Sequence, residues 1–469
     1  MHGGKDNYTY LTTAPIRRVI PTMAVPTIVG MLVTSLYVIA DTFFVGQLDT
    51  QSTAAVGVVF PLMFFMQAFG FFFGHGSGNY ISRELGARRH GNARRMAADG
   101  FFLSLFTGLT LMTLGLVFLH PLALLLGSTP TILPLTESYL SVSLLGMPFL
   151  MSSLTLNNQL RLQGNAAYAM VGIVTGAVLN VALDPFFIFL LDLKVQGAAL
   201  ATVIGQVVSF LLLFRMSHHE GNIGIYWRDF APSWSAVKEI FYGGSPSMSR
   251  QGLLCVSTML LNHAAGTWGD AAIAGMSIVG RITMLVMAVV IGLGQGFQPL
   301  CGFCYGAKLY SRLKRAWWFT TIVGTVFLLV VSGLGWLFSS ELIALFRDDM
   351  EVVAVGVVAL RWQLLTLPLC ATMMSSNMLT QTCRKPWRAN LLAASRNGLF
   401  FIPSILVLPC WLGLTGVEVC QSVSDLFAFI VTVPVMVYTF RELRALSLAF
   451  LLARMPLSGL CPPHRANIK

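Results

Sequence analysis

Long apolar stretches separated by short polar breaks run along almost the whole chain. A helix that crosses a bilayer needs ~20 mostly apolar residues, and each stretch reaches that length. The pattern therefore predicts twelve membrane-spanning helices. They are expected at residues 17–45, 53–82, 94–120, 131–157, 166–192, 195–216, 236–265, 271–303, 315–338, 350–380, 387–411 and 415–440.

The composition excludes a soluble protein. Of the 469 residues, 55% are hydrophobic and only 10% are charged, and the mean hydropathy is +0.73. A soluble core could not bury that much apolar surface. The predicted fold class is an all-α membrane protein, with little chain left over for a soluble domain.

Lys and Arg residues concentrate in the even-numbered connections between the predicted helices, whereas the other side has little beyond Lys194 and Arg347. Cytoplasmic loops of membrane proteins carry such an excess, so we expect these connections and both termini in the cytoplasm. The basic residues on that side are Arg83, Arg88, Arg89, Arg94, Arg95, Arg161, Arg215, Arg228, Lys238, Lys308, Arg312, Lys314, Arg315, Arg384, Lys385 and Arg388.

The longest polar interruption, SHHEGNIGIYWRDFAPSWS, divides the chain near its middle. We predict an amino-terminal six-helix lobe at 1–216 and a cytoplasmic linker at 217–235. A carboxy-terminal six-helix lobe follows at 236–440, with a cytoplasmic tail at 441–469.

The two lobes are related in sequence. LGARRHGNARR after the second helix matches YGAKLYSRLKR after the eighth, which pairs Gly86 with Gly306 at an offset of 220 residues. The same offset pairs Gly46 with Gly266 and Pro26 with Pro246, and an offset of 218 pairs Gln163 with Gln381 and Pro185 with Pro403. Both halves begin on the same side of the membrane, so the repeat is parallel, and the solute path is expected between the lobes.

Two acidic residues lie deep in predicted helices of the first lobe. Asp41 lies in SLYVIADTFFVGQL, and Asp184 lies in VLNVALDPFFIFLL, one helical turn after Asn180. Ionisable groups at membrane depth are costly and are therefore candidates for function. The repeat places Leu261 opposite Asp41 and Ile402 opposite Asp184, which favours an ion site in the first lobe alone.

Helix 6 begins with GAALATVIGQ, in which Ala198 and Thr202 share a face and offer a backbone carbonyl and a hydroxyl. Together with the two carboxylates and the amide of Asn180, these groups predict either a proton-sharing pair or a Na⁺ cage. Two neighbouring carboxylates in a low dielectric cannot both remain charged cheaply unless a cation binds between them.

Other residues are weaker candidates for a substrate cavity, because each could equally pack against a neighbouring helix or lie at the membrane interface. They are Tyr37, Met63, Met66, Tyr139 and Asn157. In the second lobe, Arg250, Arg281 and Arg361 leave open a flippase for lipids or lipid-linked oligosaccharides. The role of Asp425 in that lobe is left open.

Sequence motifs for enzymatic chemistry are missing. The chain has no Walker A loop, GxSxG, HExxH or Rossmann glycine pattern, and no catalytic cluster that would indicate a membrane-embedded lipid-modifying enzyme. CGFC at 301–304 has metal-binding spacing but no second ligand pair, which favours packing. We expect no enzyme activity, cofactor or metal, beyond a coupling ion.

The motifs ADTFFVGQL, AAVGVVFPL, LGAR, LRLQGN, LNVALDPFFIF and GAALAT together resemble the multidrug and toxic compound extrusion (MATE) family over roughly residues 15–440, in its bacterial DinF-like and MepA-like branch. The resemblance implies two six-helix lobes in a V shape in the bacterial plasma membrane. It also implies alternating access and export of amphipathic, often cationic, compounds by H⁺ or Na⁺ antiport.

Within that branch the coupling site is formed at the positions of Asp41, Asn180, Asp184, Ala198 and Thr202, and Pro26 matches a proline that bends the first helix. The partners implied are small organic molecules and membrane lipids, not nucleic acid, and a monomer suffices.

Overall fold

The computed structural model describes residues 7–346 and 349–452, and within these ranges it contains helices and no β-strand. The prediction of an all-α membrane fold is therefore confirmed. Arg347, which we expected on the side with few basic residues, lies outside the described part of the chain.

The helices form twelve spans in the described residues, six in each lobe. Spans 1 to 6 are Ile16–Gly46, Thr50–Gly86, His90–Val117, Leu133–Leu145 with Met147–Leu162, Ala166–Pro185 with the π-turn Phe186–Leu190, and Lys194–Ser217. Spans 7 to 12 are Trp234–Gly266, Asp270–Gly306, Tyr310–Leu337, Met350–Thr366 with Leu369–Thr382, Pro386–Ala394 with the π-turn Ser395–Leu399 and Phe401–Leu412, and Leu414–Leu452. Four short helices, Asn7–Thr13, Leu119–Leu125, Trp227–Asp229 and Ser339–Ala344, lie between or before them.

Nine of these helices are individually long and apolar enough to cross a membrane. Spans 4 and 10 pass the same test as bent pairs, with bends of 44° and 55°. Span 7 is 33 residues long but more polar, since it includes Lys238, Glu239 and Arg250. Span 12 continues to Leu452, which is beyond the boundary at residue 440 that the sequence predicted.

The backbone reproduces the internal repeat at an offset of 220. Arg88 and Lys308 follow spans 2 and 8, and both have φ of 60°. Gly164 and Arg384 follow spans 4 and 10, and both also have positive φ. The offset of 218, which pairs Gln163 with Gln381, does not hold at the ends of spans 4 and 10. Gln163 follows the end of span 4, whereas Gln381 lies inside span 10.

Each lobe has its own apolar core, and a third cluster joins the lobes near the amino terminus. In this third cluster, Ile20 and Met23 of span 1 pack with Phe297 and Leu300 of span 8. The short first helix takes part as well, because Arg312 donates hydrogen bonds to the backbone oxygens of Leu11 and Ala14.

Close approaches between the lobes occur at one end of the molecule. A Cβ on Gly76 would lie 2.4 Å from the backbone oxygen of Ile240, and a Cβ on Gly296 would lie 2.4 Å from the Cα of Ala24. These contacts join span 2 to span 7 and span 8 to span 1. They lie toward the ends of the spans that lead into the basic connections, so the lobes are closed on that side.

Buried ion pairs and hydrogen bonds reinforce the closure. Arg83 lies 2.9 Å from Glu239 of the other lobe and donates to the backbone oxygen of Thr382. Arg161 is almost fully buried and donates to the backbone oxygen of Gln295 and to the side chain of Gln298. The expectation that Arg83 and Arg161 are loop charges was wrong, because both side chains bind the opposite lobe.

Candidate functional site

The first-lobe site depends on an unusually close crossing of spans 5 and 6. A Cβ on Gly176 would lie 2.7 Å from the backbone oxygen of Gly205, and a Cβ on Gly205 would lie 2.7 Å from that of Gly176. Farther along, a Cβ on Gly197 would lie 2.7 Å from the backbone of Phe187. Only glycine permits backbones to approach this closely, so the sequence itself brings the polar faces of the two spans together.

The polar residues predicted on these spans meet at this crossing. The amide Nδ2 of Asn180 donates a 3.0 Å hydrogen bond to the hydroxyl of Thr202, and both residues are buried. Asp184 lies one turn beyond Asn180 and is completely buried, and Ala198 is completely buried one turn before Thr202. The π-turn that begins after Pro185 ends the regular helix immediately beyond the acid.

Asp41 contributes a second buried carboxylate from span 1, which packs against span 5. Four oxygen atoms of the site have no hydrogen-bond partner among the described residues: one of Asp41, both of Asp184 and the side-chain oxygen of Asn180. Buried acceptors without a donor are unfavourable, and a proton or a small cation would satisfy them. The donor set of carboxylate, amide and hydroxyl oxygens suits a hard cation.

Two tyrosines lie near the two acids of the first-lobe site. Tyr37 and Tyr139 both lie close enough to Asp41 and Asp184 to interact with them electrostatically, and the two acids interact with each other. In the described part of the chain, neither acid has a Lys, Arg or His partner within 4 Å. The charge of the pair is therefore not compensated by the protein.

The described residues contain no group of three His, Cys, Asp or Glu side chains that could hold a metal ion. The first-lobe site has only two such residues, so its remaining ligands would be amide, hydroxyl and backbone oxygens. Such a set of hard oxygen donors suits a proton or a hard cation.

Replacement of Thr202 by Val is expected to lower the free energy of unfolding by ~1–3 kcal/mol, because it leaves the buried Nδ2 of Asn180 without an acceptor. Thr202→Ser keeps the hydroxyl and should retain most of the stability. Thermal unfolding of the purified full chain in detergent measures both effects. Equal losses in the two variants would show that the hydroxyl does not hold Asn180.

The remaining predicted cavity residues do not gather at one place. Asn157 donates 2.8 Å to the backbone oxygen of Ala169 and lines a cavity of about 260 Å³ together with Pro26. Met66 has no exposed surface and belongs to the first-lobe core, against which Met63 packs. Span 1 runs through Pro26 as one continuous helix.

The second-lobe arginines have different surroundings. Arg281 is exposed, and Arg361 donates to Ser339 near the end of span 9. Arg250 lines a cavity within the lobe. Arg396 lines the same cavity and pairs with Asp425 at 2.8 Å, which identifies the partner of that acid.

Sequence reasoning missed the buried polar network between the lobes. His75 and Asn158 accompany Arg161 there, and Nη2 of Arg161 donates to the side-chain oxygen of Asn158 at 2.6 Å. A signal was present in LNNQLRL, because three consecutive amide side chains at the end of an apolar helix are unusual on a surface that faces lipid.

Comparisons with known proteins agree with this architecture. A family model described as MatE matches residues 26–186 and 246–405, one segment in each lobe. The chain is 27% identical over 413 residues to the multidrug export protein MepA of Staphylococcus aureus (strain NCTC 8325 / PS 47), which covers 87% of this chain and 90% of the relative.

Solved structures match over nearly the full length. A crystal structure of MATE in complex with MaL6 is 27% identical, with a TM-score of 0.88 and coverage of 94% of this chain and 99% of the other. An outward-facing conformation of a multidrug resistance MATE family transporter of the MOP superfamily is also 27% identical. Its TM-score is 0.87, with coverage of 93% and 98%.

Proposed function

This chain belongs to the MatE family of multi-pass membrane proteins, and from that premise we propose that it is a secondary active multidrug exporter driven by H⁺ or Na⁺ antiport. Its proposed substrates are amphipathic, mostly cationic, organic compounds, and the relative named multidrug export protein supports export of more than one compound. The observation that carries the coupling is the buried pair Asp41 and Asp184, whose oxygen atoms have no cationic partner in the described chain.

The pair gives a physical basis for antiport. Holding two uncompensated charges in a protein interior is costly, so the site favours either a bound cation or a shared proton. A cationic substrate that binds near the same charges competes with the coupling ion. Exchange follows if the ion binds one conformation of the carrier more tightly than the other.

The closed side of the molecule supports a proposed direction for the cycle. The lobes touch at the end that bears the basic connections, which we place in the cytoplasm together with both termini. The conformation described then opens toward the outside of a bacterial plasma membrane. Ions load at Asp41 and Asp184 in this state, and bending of span 1 at Pro26, where the helix is continuous here, would couple loading to the change of conformation.

The flippase alternative has less support. Of the three arginines that left it open, Arg281 is exposed, Arg361 donates to Ser339, and Arg250 lines the second-lobe cavity together with Arg396. The proposed exporter works as a monomer among lipids and needs no cofactor or catalytic residue.

The proposal is tested by export of tetraphenylphosphonium from proteoliposomes that contain the full chain. We expect export under an imposed H⁺ gradient or an imposed Na⁺ gradient, but not both, and the effective gradient identifies the ion. The membrane potential is clamped with K⁺ and valinomycin, so that the lipophilic cation does not simply follow voltage. Equal release with and without both gradients would refute ion-coupled export.

A further inference from the structure

The two lobes contain cavities that are related by the internal repeat. In the first lobe, Asn157 donates 2.8 Å to the backbone oxygen of Ala169; in the second, Asn377 donates 2.8 Å to that of Ala389. Each asparagine lines the cavity of its lobe. Both pairs are separated by the repeat offset of 220, so the cavities are equivalent places in the two lobes.

The equivalent positions differ in charge. Gly30 lines the first-lobe cavity, and 220 residues later Arg250 lines the second-lobe cavity. At the crossing behind the cavity, the backbones of Gly176 and Gly205 touch in the first lobe, whereas Arg396 and Asp425 form an ion pair at the same offset in the second. All three changes introduce a charge, and two of those charges are cationic.

Arg250 has no compensating charge. Its Nη1 donates 3.1 Å to the side-chain oxygen of Asn377, and no described carboxylate lies within 4 Å. Asp425 cannot serve it, because that acid is completely buried and both of its oxygens accept from Arg396. Arg161 at the lobe interface adds to the positive potential, since it interacts electrostatically with Arg250.

The rest of the lining is soft and apolar. The cavity has about 410 Å³ of empty space, which includes space open to solvent, and Met287, Met373 and Met374 line it together with Leu392. Methionine side chains adapt to ligands of varied shape. A half-buried guanidinium beside such a surface suits a molecule with one anionic group and an apolar body.

We propose that this second-lobe cavity is a binding site for amphipathic organic anions, with Arg250 as the residue that binds the anionic group. Arg396, whose charge is balanced by Asp425, also lines the site. The transporter then accepts acidic or zwitterionic amphiphiles in the second lobe in addition to the cations that the first-lobe carboxylates attract. The assignment rests on the proposed export function for its physiological use, although binding itself does not require it.

Binding of radiolabelled taurocholate to the immobilised, detergent-solubilised full chain tests the site. We expect saturable binding that weakens by at least about tenfold in Arg250→Gln, because a charge-assisted hydrogen bond is lost. Arg250→Lys should stay within about threefold of the wild type. Arg281→Gln, which removes an exposed arginine of the same lobe, should have no effect.

Tetraphenylphosphonium binding to the same samples serves as the folding control and should be unchanged in Arg250→Gln. Unchanged taurocholate affinity in that variant, or no saturable binding to the wild type, would overturn the site. Sodium sulfate added at the same concentration as taurocholate tests the apolar part of the site. If sulfate displaces taurocholate, the site binds small anions, the methionines play no part, and the proposal is refuted.

The two proposals fail in different ways. If taurocholate binds through Arg250 while no gradient drives tetraphenylphosphonium export, the anion site stands and the export proposal fails. If export is gradient-driven but Arg250→Gln binds taurocholate normally, the export proposal stands and the anion site is refuted.

Discussion

Replacing Asp184 with Asn is expected to lower gradient-driven tetraphenylphosphonium export by at least about 30-fold, which corresponds to ~2 kcal/mol lost at the ion site. Asp184 is completely buried, and neither of its oxygens has a partner in the described chain. Asparagine has nearly the same size but cannot take up a proton or balance a cation. Asp41→Asn should have a similar effect, since each variant leaves one carboxylate instead of an interacting pair.

A matched control is available on the same stretch of chain. Asp192 is exposed, eight residues after Asp184, and has φ of 51°, a conformation that asparagine tolerates well. Asp192→Asn should export at the wild-type rate. Gradient-driven export that survives in both Asp41→Asn and Asp184→Asn would show that the coupling ion binds elsewhere.

The first-lobe site could be predicted because its determinants are local. Acids in apolar helices stand out, and helical spacing puts Asn180 beside Asp184 and Ala198 beside Thr202. The structure adds the crossing that joins the two faces. That crossing depends on Gly176 and Gly205, and glycine in a membrane helix has too many roles for sequence alone to single out this one.

The interface between the lobes was harder to foresee, because it depends on residues distant in the chain. Arg83 and Arg161 follow apolar helices, as loop charges do, and only the packing of the lobes buries them. Glu239 lies near the start of span 7, and it binds Arg83 across the interface and Arg384 within its own lobe. Charge patterning predicts orientation, but it says little about which charges are buried.

The internal repeat also bears on the contacts between the lobes. Gly86 and Gly306, paired in sequence at an offset of 220, prove to be partners in space. A Cβ on Gly86 would lie 2.4 Å from the backbone oxygen of Phe303, and a Cβ on Gly306 would lie 2.0 Å from that of Arg83. Each glycine therefore allows the end of its own helix to pack on the other lobe beside the Arg83 ion pair.

Gly306→Ala is expected to prevent the lobes from closing on the basic side. The added methyl meets backbone atoms that no side-chain rotation can move, so the helices must separate. Overpacking of this kind costs ~2 kcal/mol, or roughly 30-fold in the equilibrium between closed and open states. Gly86→Ala should act in the same direction, and export should fall in both variants because the carrier no longer occupies this state.

Spin labels at exposed positions 51 and 267, at the open end of the two lobes, report the conformation directly. Both sites would be labelled through cysteine after Cys255, Cys410 and Cys461, which lies outside the described residues, are replaced by Ser; the other five cysteines are buried. We expect the distance distribution of Gly306→Ala to shift to shorter values, since opening one end of a two-lobed carrier brings the other end together.

Gly46 and Gly266, which are also paired by the repeat, serve as controls. They separate the effect of the steric clash from the effect of alanine at a helix end. A Cβ on Gly46 would meet nothing within 4 Å, and a Cβ on Gly266 would meet only Ile273 at 3.5 Å, an ordinary contact. Gly46→Ala and Gly266→Ala make the same change at helix ends away from the interface. They should therefore leave both the label distances and export unchanged. If all four alanine variants behaved alike, the loss would reflect alanine at a helix end, and the crossing at Gly86 and Gly306 would not control closure.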